Sequence, residues 1–323
     1  MRAIRFDNTG GPEVLYLADV PAPEPGPGQI RIRQEAIGVN FIDTYHRTGL
    51  YPLPLPSGLG KEGAGVVDAV GDGVTRFKIG DRAGYAMDGP GAYAEANVVS
   101  ADRAVHIPDA VDARTAAAVL LKGMTAEFLL HRTYPLRAGQ TILVHAAAGG
   151  VGQLLVQWAK HIGATVIATV GSTAKAQKVQ ALGADHVIFY RDQDVAAEVR
   201  RITGGGGVAV AYDSVGKDTF EGTLASLARR GLFVSYGNAS GPPPPVEGRR
   251  LSLAGSLFFT RPTLTDYIAT TEELDASAAA VFGMVASGAL DVEIGQTFPL
   301  AEARRAHEAL EGRQTIGATL LIP

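Results

Sequence analysis

TILVHAAAGGVGQLLVQWAKHIGATVIATVGS, residues Thr141 to Ser172, changes its hydrophobic period twice. Thr141 to Ala146 is a short apolar run with β-branched residues, the pattern of a buried strand. Apolar side chains then recur at 151, 154, 155, 158, 159 and 162, which is helical spacing that ends at Gly163. Thr165 to Val170 is a second β-rich run, so the segment predicts a βαβ unit with a right-handed crossover. Between strand and helix stands Ala147-Ala148-Gly149-Gly150-Val151-Gly152. This is the dinucleotide fingerprint with alanine at its first glycine. Gly149 lets a pyrophosphate approach the backbone, Gly152 lets the helix pack closely on the strand, and Gly150 and Val151 open the helix. Unpaired N–H groups there carry a partial positive charge toward phosphates. The other reading of the same residues is a tight βα turn in a structural sheet.

The end of the second strand selects the nucleotide. An NAD-selective site places an acid about 20 residues beyond the glycines, on the ribose 2′-hydroxyl. This chain has Thr169-Val170-Gly171-Ser172 there, with Lys175 following. A hydroxyl, open backbone at Gly171 and an ammonium suit a 2′-phosphate, so NADPH is the expected cofactor.

The remaining composition narrows the classes. With 323 residues the chain can bury two cores, and its net charge of −4 includes no basic run suited to nucleic acid. No apolar stretch approaches the ~20 residues of a membrane helix, and the N-terminus begins a strand pattern, so a soluble, cytoplasmic protein is expected. The absence of cysteine removes disulfides, thiolate nucleophiles and thiolate metal sites.

Residues 1–122 read as all-β, with strands such as Ile30 to Arg33 and Ala64 to Val70 and glycine turns from Gly58 to Gly65, a small, partly open barrel. From 123 to 261 strands and helices alternate, ending in a sixth strand near Leu253 to Phe259, which predicts a doubly wound parallel sheet. Residues 262–323 add two helical segments and a terminal strand that return to the β-rich domain. The fold expected is therefore α/β, a barrel domain (1–122 with 262–323) into which a Rossmann domain (123–261) is inserted, with ligands held between the two.

Several segments together resemble the zinc-independent branch of the medium-chain dehydrogenase/reductases, of the zeta-crystallin type of NADPH:quinone oxidoreductase. They are Gly11 to Leu15, Gly38 to Tyr45, Lys122 to Thr125, His145 to Gly152, Tyr212 to Gly216 and Ser235 to Asn238. Zinc-dependent relatives bind their metal through a cysteine where this chain has Asn40 and a histidine where it has Lys61, so no metal is expected. Without a Lewis acid the favoured substrate is already a strong electrophile. The resemblance thus implies a GroES-like domain and electron or hydride transfer from NADPH to a quinone. The alternatives are a reductase of activated C=C bonds, and a non-catalytic crystallin-like protein that binds NADPH or RNA.

The resemblance also carries residues across. Asn40, Asp43 and Tyr45 would stand beside the nicotinamide in a loop after a strand, with Asn40 and Tyr45 as hydrogen-bond donors to the reduced quinone oxygen; the other reading has Tyr45 wall the pocket and Asn40 satisfy backbone. Asn40, Phe41, Tyr45, Thr125 and Phe128 would contact the cofactor, as would Ser214, Tyr236, Gly237, Asn238 and Phe259 at later strand ends. Tyr190 would flank the adenine ribose phosphate and Arg313 the phosphate or nicotinamide. His145 is read as structural, since nothing near it in sequence orients it as a base. A homodimer that pairs exposed edge strands of the nucleotide sheets completes these expectations.

Overall fold

The computed structural model describes every residue from Met1 to Pro323. Two compact units result, Thr125–Asp266 and the combination of Met1–Met124 with Tyr267–Pro323.

In the Thr125–Asp266 unit, six parallel strands lie in the spatial order His186–Phe189, Thr165–Val170, Thr141–Val144, Val208–Asp213, Leu227–Ser235, Phe258–Thr260. Counted along the chain this is 3-2-1-4-5-6, the doubly wound Rossmann order, whose direction reverses between Thr141–Val144 and Val208–Asp213. Both faces of the sheet are covered, which is why these strands read as continuous apolar runs. The helices Gly150–Ile162, Thr173–Ala181, Val195–Ile202 and Phe220–Ser226 supply the cover. Their ends follow local chemistry: Ser172 and Asp194 accept backbone N–H groups at two N-termini, and Gly163 takes a φ of 92° to stop the first helix. The core gathers Leu143, Ile167, Val199, Phe220 and Phe233.

The sixth strand differs from expectation. Leu253 ends a short helix, Gly248–Leu253, and only Phe258–Thr260 is strand. Gly255 and Ser256, at φ of 114° and 55°, turn the chain between the two.

The other unit is built around the long strand Gln29–Val39, which pairs antiparallel with Glu62–Val70, Ala96–Ser100 and Ala318–Ile322. Register shifts against Glu62–Val70 bend this sheet, as bulges do in barrels. Ile30, Ile32, Ile37, Phe6 and Leu59 fill its core. Gly63 and Gly65 belong to the strand Glu62–Val70 rather than to a turn. A Cβ on Gly65 would lie 2.0 Å from the Arg33 carbonyl oxygen, so close strand approach, not turning, demands glycine there. Residues 1–122 are also not all-β. Phe41–Thr48 is a helix, and a second helix, Ala113–Phe128, carries the chain from one unit into the other. Asn40 therefore precedes a helix instead of lying in a loop, with Asp43 three residues on receiving its backbone N–H at 2.9 Å.

Candidate functional site

The glycine turn sits where the parallel strand Thr141–Val144 meets its helix, with Gly149 as the N-cap. A Cβ added to Gly152 would come within 2.4 Å of the Ala146 carbonyl oxygen and 2.7 Å of Ala147 Cα, so this glycine is required by packing. A Cβ on Gly149 would meet only the Ala146 oxygen, at 3.3 Å. Its constraint lies on the open side, where the helix N-terminus offers N–H groups to an anion. Gly149→Ala is accordingly expected to leave the thermal midpoint within about 2 °C while weakening dinucleotide binding by about tenfold or more. Equal affinity for the variant in a fluorescence titration would contradict that reading.

Beneath the turn lies a closed polar cluster. His145 is buried, its Nδ1 3.1 Å from Thr169 Oγ1 and its Nε2 2.9 Å from Thr223 Oγ1. Thr223 reaches Asp213 Oδ2 at 2.8 Å, Thr219 reaches it at 2.7 Å, and Asp213 Oδ1 accepts the Val215 and Gly216 N–H groups. Burial lowers the His145 pKa. Both ring nitrogens are engaged and buried, so the cluster ties strand ends together.

At the end of Thr165–Val170, the fold brings Gly171, Ser172 and Tyr190 together. A Cβ on Gly171 would stand 2.8 Å from the Tyr190 hydroxyl, the Tyr190 N–H binds the Val170 carbonyl at 3.2 Å, and Arg191 lies 6.0 Å from the Tyr190 ring centre. Ser172 Oγ accepts the Lys175 N–H at 3.4 Å, which starts the helix carrying Lys175. Across the switch point, Gly237 lies against Ser214, where a Cβ would be 2.5 Å from the Ser214 carbonyl oxygen. The Tyr236 N–H binds the Asp213 carbonyl at 2.8 Å, and Asn238 is buried. These residues form one rim along the C-terminal strand ends. Phe259, at the end of the last strand, is half-buried and packs one side of its ring on Phe220 and Phe233, with centroids 6.4 and 5.1 Å away. Strand alternation turns Phe259 to the core and leaves Phe258 exposed. Phe128 is 1% exposed. Thr125 is buried in the same helix, and Arg313 follows the helix Ala303–Glu311 at a left-handed φ of 56°.

In the other unit, Asn40 stands between two buried carboxylates. Its Nδ2 donates to Glu62 Oε2 at 2.9 Å, and its backbone N–H donates to Asp43 Oδ2 at 2.9 Å. Glu62 also receives Lys122 Nζ at 2.9 Å and the Leu121 N–H at 2.7 Å. Asn40 therefore turns its amide NH2 inward, one N–H to Glu62 and the other toward the Gly38 carbonyl at 3.4 Å. A carboxylate only accepts, which fixes the amide this way round. Phe41 and Tyr45 sit on the following helix, and Tyr51 meets the Tyr45 ring edge-on at 5.3 Å. Tyr51, Glu62 and Lys122 were not singled out from sequence. The signal for Lys122 was its place in Ala116-Ala117-Ala118-Val119-Leu120-Leu121-Lys122, a lone cation in an apolar run that requires a buried partner.

These residues do not fit a zinc ion. The position flanking Glu62 carries an ammonium and an amide, no group of three metal-ligating side chains gathers, and the chain has no cysteine.

Comparison with known proteins agrees with this geometry. Residues 26–109 match the family described as alcohol dehydrogenase GroES-like domain, and residues 150–281 the one described as zinc-binding dehydrogenase. A quinone oxidoreductase of Pseudomonas aeruginosa is 53% identical over 323 residues, 100% of this chain and 99% of that protein. The 2-haloacrylate reductase of a Burkholderia species is 45% identical over 97% of this chain and 96% of that one. The crystal structure of Escherichia coli quinone oxidoreductase complexed with NADPH matches at a TM-score of 0.98 and 48% identity, covering 100% of both chains. Full-length identity at this level, on a Rossmann unit and a GroES-like unit, identifies the chain as a member of the quinone oxidoreductase family of the medium-chain dehydrogenase/reductases.

Proposed function

We propose that this protein is an NADPH-dependent quinone reductase. The observation that carries the reading is the full-length match to an NADPH-bound quinone oxidoreductase, at 48% identity, joined to an acid-free strand end at Gly171-Ser172. NADPH supplies a hydride when bound. Gly149 and the N–H groups opening the helix Gly150–Ile162 would hold its pyrophosphate. Ser172, Lys175 and Tyr190 would hold the 2′-phosphate, while Ser214, Tyr236, Gly237 and Asn238 would line the rim toward the reacting end. Asn40, fixed by Glu62 and Asp43, together with Tyr45 and Thr125, would order the nicotinamide side. There Asn40 would accept hydrogen bonds through its carbonyl oxygen, and the Tyr45 phenol would donate to a developing quinol oxygenate. A quinone needs no metal for this, because reduction makes its ring aromatic. The reading includes a cytoplasmic location, where NADPH is kept as reductant.

A second reading, reduction of activated C=C bonds, is favoured by the likeness to 2-haloacrylate reductase. Steady-state rates with 1,4-benzoquinone, 9,10-phenanthrenequinone, a short 2-alkenal and 2-chloroacrylate separate the two. Quinone turnover well above that of both alkenes supports the first reading, and the reverse order overturns it.

We also propose a homodimer joined through the exposed edge of Phe258–Thr260, the last strand of the six. Phe258 in this strand and Leu253 at the end of the preceding helix are 60% and 74% exposed, apolar surface that invites cover. Phe258→Glu is expected to convert a dimer to a monomer in sedimentation at micromolar concentration, and a monomeric parent would contradict the proposal.

A further inference from the structure

A row of buried side chains joins the helix Phe41–Thr48 to the helix Ala303–Glu311. Arg47 Nη1 and Nη2 bind the Glu311 carboxylate at 2.9 and 2.7 Å, and its Nε donates to the Gly10 carbonyl at 3.1 Å. Arg47 Nη1 is also 3.1 Å from His307 Nδ1. A guanidinium only donates, so His307 Nδ1 accepts and its proton sits on Nε2. That nitrogen is 3.1 Å from the Tyr93 hydroxyl, which in turn is 2.9 Å from Asp43 Oδ2. Every donor then points the same way, from Arg47 through His307 and Tyr93 to Asp43. The direction is set by an arginine that does not lose its proton. Asp43 closes the row by accepting the Asn40 N–H. Arg47, His307, Tyr93 and Asp43 are each exposed by 1% or less. An apolar filling of the same volume would pack as well or better. What the polar row adds is position.

We propose that His307 and Tyr93 are positioning residues for the reductase reaction: with Arg47 and Glu311 they hold an ionised Asp43 against the backbone of Asn40. The role in turnover rests on the reductase reading, whereas the hold on Asn40 does not.

Asp43 has a second oxygen, Oδ1, that is buried with no partner. A proton placed there finds no acceptor, and a proton on Oδ2 displaces Tyr93 or Asn40. Burial pushes the Asp43 pKa up to about 7, aided by nearby Glu62, while the Asn40 N–H, Tyr93 and Lys122 draw it down. Lys61 and Tyr85 also feel its charge. His307 is held neutral, its pKa lowered to about 3 by burial and by Arg47. The hold on Asn40 thus weakens, from a charged to a neutral acceptor, as pH falls through about 7.

Stability alone does not read this device, because its two titrations oppose each other. The raised pKa of Asp43 contributes stability that is full below its ordinary value of 3.8 and lost as pH rises through about 7. The depressed pKa of His307 contributes stability that is full above its ordinary value of 6.5 and lost as pH falls toward about 3. Between these limits the gain from one offsets the loss from the other.

The chain has only four asparagines, Asn8, Asn40, Asn97 and Asn238, so selective 15N-asparagine labelling isolates the Asn40 backbone amide. Titrated from about pH 5 to about pH 9, its shift is expected to follow a midpoint near 7, and Asp43→Asn abolishes that transition. Tyr93→Phe keeps the ring and removes one donor to the carboxylate, moving the midpoint up by about one unit. His307→Leu moves it the same way, whereas His307→Gln, which has both an acceptor and a donor, keeps it near the parent value. The acid limb of kcat moves with the amide midpoint, and KM for NADPH stays within about twofold. An Asn40 amide with no transition near 7, or one that Tyr93→Phe leaves in place, overturns the proposal. If the amide behaves as expected but the parent protein turns over no quinone, the hold on Asn40 stands and the reductase reading fails instead.

Discussion

Lys122→Met is expected to cost about 3–5 kcal/mol of stability, the typical loss when a buried ion pair is stripped of one partner. The Lys122 and Glu62 side chains are 6% and 0% exposed and meet at 2.9 Å. Removing the ammonium leaves a buried carboxylate supported only by the Leu121 N–H and the Asn40 amide. Glu62 lies close against Gly38, where a Cβ would come 2.0 Å from its Oε2. The double variant Lys122→Met/Glu62→Gln should recover most of the loss, because a neutral amide needs no cation and Asn40 can flip to present its oxygen to it. Urea denaturation of the parent, both single variants and the double variant reads this directly. Additive losses would show that the pair is not the unit that matters.

Lys175→Ala is expected to weaken NADPH binding by about 10- to 100-fold, since one hydrogen bond from a charged group contributes about 1.5–3 kcal/mol. NADH, which lacks the 2′-phosphate, should bind the variant within about twofold of the parent. Lys175 is well chosen for this contrast because the helix that carries it is started by Ser172, so truncating the lysine side chain leaves the cap intact. Ser172→Ala would be less clean, as it removes the cap as well as a phosphate contact and carries about 1 kcal/mol of helix stability with it. Titrations of nicotinamide fluorescence with both nucleotides decide the matter, and a parallel loss for NADPH and NADH would contradict the 2′-phosphate assignment.

The parts of the molecule governed by local period were legible in the sequence. Val195–Ile202 and Val208–Asp213 occupy the predicted spans, since each carries a single unambiguous pattern between turn residues. The glycine turn was legible because its backbone demands are local. What escaped depends on partners distant in sequence. Asn40 reaches Glu62 and Asp43 reaches Tyr93, so nothing within a window around Asn40 reveals that its amide is already engaged. His307 lies 260 residues from Arg47, beyond any spacing argument. Phe259 illustrates the same limit: its ring meets Phe220 and Phe233, whose places beside it follow from the sheet and not from the local pattern. The helix starting after Asn40 was missed although an acid three residues beyond an asparagine is a helix-start signal, because the β-rich context on both sides outweighed it.

The central claim is that a dinucleotide with a phosphorylated ribose is gripped beyond the strand Thr165–Val170. Isothermal calorimetry of the protein with NADPH and with NADH, at one salt concentration, tests it most directly. The account predicts one site per chain and an affinity for NADPH about 100-fold or more above that for NADH, the expected sum of two charge-assisted hydrogen bonds. Equal affinities, or no heat with NADPH at concentrations that saturate typical reductases, would contradict it.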